Sequence, residues 1–168
     1  MTLGTDWARI VGEHGRMVFQ AAFRVLGNAA DAEDVAQEVF LEVVSRAPGE
    51  KVYSWGAYLR KLAVFRALDR RRQRGGEVPL EADRLLAATL SPHDEAVRRE
   101  LAESLRNLIA GLPQREGAVF ALKYFERLSN PQIAEVLGIS TGAVAAAIYK
   151  VRAKLEAAVT QNSLGELR

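Results

Sequence analysis

Apolar residues recur along the chain at spacings of three and four, and β-branched alternation is nowhere sustained. The pattern predicts a first helix from Thr5 to Leu26, stopped by Gly27 and Asn28. A second helix, AEDVAQEVFLEVVSR, is expected to be capped by Asp31. A loop, APGEKVYS, leads to a third, WGAYLRKLAVFRALDRRRQR, capped by Ser54 and ended by Gly75 and Gly76. The segment GGEVPLEADRLLAATLSPHDE combines Gly, Pro and acids and reads as a linker. A further helix starts near Ser91 and Pro92 and runs to Gly111. Then come QREGAVFALKYFE after Pro113, PQIAEVLG capped by Ser129 or Asn130, and TGAVAAAIYKVRAKLEAAV capped by Ser140, with a frayed tail QNSLGELR. The expected fold is all-α: two small helical domains, 4–75 and 92–160, joined by a flexible acidic linker, 76–91, with the C-terminal domain a helix-turn-helix.

Composition narrows the classes. The chain has 168 residues, 49% of them hydrophobic, enough for two small cores. Net charge is only +2, but it is unevenly placed. Residues 1–75 hold 12 Lys/Arg against 9 Asp/Glu, residues 76–100 hold 3 against 6, and residues 101–168 hold 8 against 6. Two basic blocks thus flank an acidic one. The absence of cysteine excludes disulfide frameworks and Cys-ligated zinc. MTLGTDWARIV is not a signal peptide, and no apolar run approaches the ~18 residues that a membrane span requires. A cytoplasmic chain with no membrane insertion is expected. His14 and His93 are isolated, and no Gly-rich phosphate loop follows a strand. Neither an enzyme nor a cofactor or metal site is expected.

Ala134, Gly138 and Val144 stand at helix-turn-helix spacing: a small residue at the crossing, a glycine for the left-handed turn, and an apolar plug. Val144, Ile148, Val151 and Leu155 form one apolar stripe. A plain helical hairpin would share that stripe but not the short glycine turn. Opposite it lie Thr141, Gly142, Ala145, Ala146, Tyr149, Lys150 and Arg152. Alanine can meet a thymine methyl, and Tyr149, Lys150 and Arg152 can reach phosphates. No Arg or Gln stands in the first two turns, so this helix alone should discriminate base sequence weakly.

On the second helix Asp31, Asp34, Glu38 and Glu42 fall on one side, and Ala32, Ala36, Val39 and Val43 on the other. An acidic side is commonly a solvated face. Here Gln37 and Leu41 border it, and an apolar residue rimmed by charge suits a basic protein partner. The third helix carries Arg60, Lys61, Arg66, Arg70, Arg71, Arg72 and Arg74 against a single acid, Asp69. Arg60, Val64, Ala67 and Arg71 make one stripe whose small residues suit approach to a phosphate backbone. A helix end favoured by the macrodipole explains part of RRRQR but not Arg60 and Lys61.

This order of motifs resembles the bacterial RNA polymerase sigma factors of the extracytoplasmic-function type, over nearly the whole chain. DAEDVAQEVFLEVV is similar to their segment that binds the β′ coiled coil of core RNA polymerase. AYLRKLAVFRALDRRRQR is similar to the helix that contacts the −10 promoter element, and APGEKVYS to the base-capturing loop before it. The stretch from LPQREGAVF to KVRAKL is similar to the region that binds the β flap and the −35 element. The resemblance implies a promoter-specificity subunit whose partners are core RNA polymerase and promoter DNA, with an anti-sigma factor as a further possible partner. It implies polymerase contacts at Asp31, Asp34, Gln37, Glu38 and Leu41. It implies −10 contacts at Tyr53, Ser54, Arg60, Lys61, Arg70 and Arg71. For the −35 element it implies Arg115, Ser140, Thr141, Gly142, Ala145, Tyr149, Lys150 and Arg152. The sequence departs from the family pattern at Phe65, Gly117, Ala145 and Ala147. A sigma-like mimic that binds an anti-sigma protein, or a stand-alone helix-turn-helix regulator, is the alternative.

Overall fold

The computed structural model describes residues 4–46, 52–73, 109 and 111–165, with side chains to 157. The expected linker 76–91, the start of the helix at 92 and most of the loop before Ser54 lie outside these residues. Every element among the described residues is helical, as the spacing predicts.

In the first domain α1 (Trp7–Leu26), α2 (Ala29–Arg46) and α3 (Trp55–Gln73) pack together. Local chemistry sets their ends. Asp6 caps α1 by accepting the Arg9 N–H at 3.0 Å. Gly27, at φ 68°, ends it and donates its N–H to the Phe23 carbonyl. The expected cap of α2 is corrected: Asn28 accepts the Asp31 N–H at 3.0 Å, so the helix begins earlier and Asp31 lies inside its first turn. Ser54 caps α3 as expected, accepting the Ala57 N–H at 3.2 Å. The core is built from Val18, Val25 and Leu26 of α1, Val35 and Val39 of α2, and Leu59 and Val64 of α3. Buried alanines at 21, 22, 63 and 67 let the α1 and α3 backbones approach closely. Trp7 and Trp55 meet edge to face at 5.6 Å and close one end.

In the second domain the sequence predicts one continuous helix over residues 114–126. Instead α4 (Gln114–Phe120) passes into a wider π turn, Ala121–Phe125, in which Glu126 donates its N–H to the Ala121 carbonyl. Arg127 then takes the left-handed conformation, φ 54°, and Leu128 donates its N–H back to the Leu122 carbonyl at 3.0 Å. This abrupt stop positions Ser129. Its hydroxyl and the Gln132 side chain form a reciprocal capping box that starts α5 (Asn130–Leu137). Gly138, φ 65°, closes α5, and Ser140 caps α6 (Thr141–Gly165) through the Ala143 N–H at 3.1 Å. The chain turns through 106° between α5 and α6. That angle is typical of a helix-turn-helix. The expected frayed tail is corrected in part, since α6 continues to Gly165. Val144, Ile148 and Val151 are buried, as the apolar stripe predicts.

Two glycines here respond oppositely to one methyl group. Gly138→Ala forces a Cβ into the left-handed region and should destabilise the chain by about 1–2 kcal/mol. Gly142 is helical, and the nearest atom a Cβ would meet is the Ser140 Oγ at 3.8 Å. Gly142→Ala should therefore stabilise by roughly 0.5–1 kcal/mol. Thermal unfolding of both variants checks the pair.

The second domain lies against α3 of the first. The Leu68 side chain sits 3.5 Å from where a Cβ on Gly117 would be, and Arg72 donates to the Leu112 carbonyl at 2.9 Å. A Cβ at position 117 would touch Leu68 at ordinary van der Waals distance, with the Arg72 guanidinium 3.9 Å away, so Gly117 sits directly against the first domain.

Candidate nucleic-acid and protein interfaces

The acidic side of α2 is smaller and less bare than the sequence suggests. Asp31 is buried, 3.8 Å from the Arg70 guanidinium, and is corrected out of the exposed face. Glu42 is half-buried and is held by Arg46 at 3.1 Å and by Arg66 of α3. The hydrogen bond to Glu42 pushes the Arg66 guanidinium above its ordinary range. Asp34, Gln37, Glu38 and Leu41 are exposed. Leu41 is 68% exposed and borders a shallow apolar groove shared with Val11, Phe40 and Val44. An exposed leucine over an apolar groove with carboxylates beside it presents apolar and acidic groups side by side, the chemistry that complements a partner with apolar and basic groups.

The expected basic face of α3 does not form as one surface. Arg71 is 0% exposed and donates to the Val25 carbonyl of α1 at 3.1 Å. It cannot touch a phosphate in this fold, and its assignment to DNA is corrected. Val64 and Ala67 of the same stripe are buried. They are small because α1 packs on them, not because a backbone of DNA must approach. Arg70 faces α2, its guanidinium 3.3 Å from Asp34 and 2.7 Å from Glu38. Arg60 points toward the second domain, 3.6 Å from Glu126. Lys61 lies over the Phe65 ring at 5.9 Å, which gives the departure at Phe65 a local role.

Glu126 is a buried charged residue between the two domains that sequence reasoning missed. Its side chain is 4% exposed, yet it is held by Arg24 of α1 at 2.9 Å and by Arg60 of α3 at 3.6 Å. A lone acid near a helix end carries no periodic signal, and only the π turn and the approach of the two domains place it. The domains also flank a cleft of ≈380 Å³ lined by Tyr53, Ser54, Tyr58 and Lys61 on one side and by Glu135 to Gly138 on the other. Tyr53 is 94% exposed at its edge. The structure thus brings three of the expected −10 residues together and separates them from Arg70 and Arg71.

Seven of the eight expected −35 residues lie on α6 or at its start. Thr141, Gly142, Ala145, Ala146, Tyr149 and Lys150 are exposed on α6. Ser140 is exposed at the start of the helix while its hydroxyl serves the cap. Ala147 is buried, so the missing charge at that position takes nothing from the exposed face. Arg152 donates to the Tyr124 hydroxyl at 3.1 Å, a bond that raises the pKa of a group already charged. Arg115 is exposed in the first turn of α4, and Glu116 beside it pairs with Lys154 at 2.6 Å. Among the described residues no cluster of His, Cys or carboxylates could hold a metal ion, and no single helix is long and apolar enough to cross a membrane.

Comparison with known proteins places these surfaces in a family. Residues 10–77 match the sigma-70 region 2 profile and residues 102–155 the sigma-70 region 4 profile. The chain is 29% identical to the ECF RNA polymerase sigma factor SigW of Bacillus subtilis, over 89% of this chain and 86% of that protein. It is 31% identical to the ECF RNA polymerase sigma factor SigL of Mycobacterium tuberculosis, over 84% of this chain and 82% of that protein. Among solved structures, the fold matches CnrH in complex with the cytosolic domain of CnrY, with TM-score 0.54 and 23% identity over 92% of this chain and 88% of that one. It also matches the sigma factor RpoE of Bartonella quintana in complex with the anti-sigma factor NepR, with TM-score 0.51 and 13% identity over 92% of this chain and 97% of that one. With both conserved regions in order and relatives aligned over most of their length, the chain belongs to the extracytoplasmic-function sigma factors, the promoter-recognising initiation factors of RNA polymerase.

Proposed function

We propose that Asp34, Gln37, Glu38 and Leu41 dock the first domain on core RNA polymerase, at the β′ coiled coil. The observation that carries this reading is the exposure of Leu41 over an apolar groove with the solvent-accessible carboxylates of Asp34 and Glu38 beside it. Tyr53, Ser54 and Lys61 then hold the −10 element, with Arg60 added once Glu126 releases it. The exposed side of α6, from Thr141 to Lys150, enters the major groove at the −35 element, while Arg115 and Arg152 reach phosphates and the second domain also touches the β flap. The alanine-rich α6 discriminates weakly alone, and tethering through the polymerase and the first domain makes that sufficient. The chain contributes positioning and charge rather than catalysis, acts in the cytoplasm, and takes an anti-sigma factor as a regulatory partner. That partner is suggested by RpoE, which is solved with the anti-sigma factor NepR.

The promoter half is tested by salt dependence. In polymerase reconstituted with Lys61→Ala, the slope of log affinity for duplex promoter against log salt should fall by about 0.9, the effect of one lost phosphate contact. A slope equal to that of the wild-type chain removes Lys61 from the DNA surface.

A further inference from the structure

Arg70 joins two surfaces that the proposed function treats as separate. It stands on the promoter helix α3, yet its guanidinium is spent on the carboxylates of the polymerase-binding helix α2. One terminal nitrogen lies 3.3 Å from Asp34 and 3.8 Å from Asp31, and the other lies 2.7 Å from Glu38. Asp34 and Glu38 are the exposed acids beside Leu41, with side chains 62% and 50% accessible. The other described arginines of α3 are engaged elsewhere. Arg71 is committed to the Val25 carbonyl, Arg72 to the Leu112 carbonyl, Arg66 to Glu42 and Arg60 to Glu126. Arg70 is therefore the cation on this helix whose partners a docking protein would take away.

We propose that Arg70 is exchanged between two partners. In the free chain Asp34 and Glu38 hold it against α2 and away from DNA. When basic groups of core polymerase engage those carboxylates, Arg70 is released to a phosphate of the promoter backbone. Docking thus arms the promoter helix as well as attaching it. Three features make the exchange feasible. The pairs are solvent-accessible, so each is weak and is easily traded for a pair with another cation. The apolar groove beside Leu41 supplies burial that favours the incoming partner, which Arg70 alone cannot offer. Buried Asp31 stays beside Arg70 throughout and keeps the guanidinium oriented at the α2–α3 seam. Glu42 is set back from the surface and grips Arg66 and Arg46 together, so that pairing survives docking and serves as an internal reference. This inference rests on the polymerase-binding reading of α2.

The test is the reactivity of Arg70 toward phenylglyoxal, mapped by mass spectrometry. The full chain is compared free, bound to core polymerase lacking its own sigma, and bound to core polymerase with promoter DNA. Free Asp34→Asn/Glu38→Gln protein is run beside them. Reactivity of Arg70 should rise about two- to fivefold in the double variant and on core binding, the change expected when surface ion pairs of ordinary strength are lost. It should fall again when promoter is added, while Arg66 stays constant. An unchanged Arg70 in the folded double variant, or in a chain that co-elutes with core, overturns the exchange and leaves the polymerase reading standing. A rise on core binding that promoter does not reverse overturns the DNA half. A wild-type chain that does not co-elute with core overturns both the exchange and the reading beneath it.

Discussion

Arg71→Ala is expected to lower the stability of the chain by about 2–4 kcal/mol, without passing through any change in a direct DNA contact. Arg71 is fully buried and satisfies the Val25 carbonyl near the end of α1. Truncation removes that hydrogen bond, leaves a carbonyl in a dry seam, and opens a cavity where a long aliphatic stem had packed. Denaturant unfolding of the purified chain measures the loss. Arg70→Ala, one residue earlier, loses pairs with the exposed Asp34 and Glu38 and removes the cation 3.8 Å from buried Asp31, and should cost about 1–2 kcal/mol, less than Arg71→Ala. The two neighbours thus separate a fully buried arginine from a partly exposed one. A stable Arg71→Ala chain whose only defect is a shallower salt slope in promoter binding would contradict this assignment.

That contrast also marks how much of the molecule is legible in its sequence. The helices and the helix-turn-helix follow from local chemistry: apolar residues at helical spacing, Ser54, Ser129 and Ser140 at caps, Gly138 at a left-handed turn. Each signal is set within a few residues, so it survives without knowledge of the fold. The alternation of arginine with small residues on α3 has two physical causes that sequence cannot separate. A phosphate backbone approaching from outside and α1 packing from inside both ask for Val64 and Ala67 to be small. Here α1 is the cause, and Arg71 goes inward with them. Asp31 is misassigned for a similar reason. Its spacing with Asp34 and Glu38 suggests one acidic face, but Asn28 starts the helix earlier and Arg70 draws Asp31 into the α2–α3 seam. Glu126 depends on a π turn and on the contact between domains, both non-local. The exposed side of α6 is readable because this helix packs on α4 and α5 of its own domain and keeps one outer face, whereas α3 is packed against α1, α2 and the second domain at once.

The second large effect is expected on polymerase binding. The double reversal Asp34→Arg/Glu38→Arg should weaken binding to core polymerase at least ~100-fold, since like charge replaces attraction at a desolvated contact. It would also set two new cations beside Arg70, so Arg70→Glu added to the reversal should restore the pairing at positions 34 and 38, though not at buried Asp31, without restoring polymerase binding. Comparing unfolding with core binding in both variants keeps a folding defect apart from a docking defect. Leu41→Arg should weaken binding in the same direction with little change in stability, because Leu41 is mostly exposed in the free chain. Full-strength core binding by the folded double reversal would move the docking face away from α2.

As a sigma factor, this chain gives core polymerase a promoter. The most direct measurement is selection of a randomised promoter library by core polymerase lacking its own sigma, with and without the chain, read out by sequencing the transcribed fragments. Fragments that share two separated elements are expected, with enrichment lost in Asp34→Arg/Glu38→Arg protein. Transcribed fragments no different from those of core alone, with the chain folded and bound, would contradict that role.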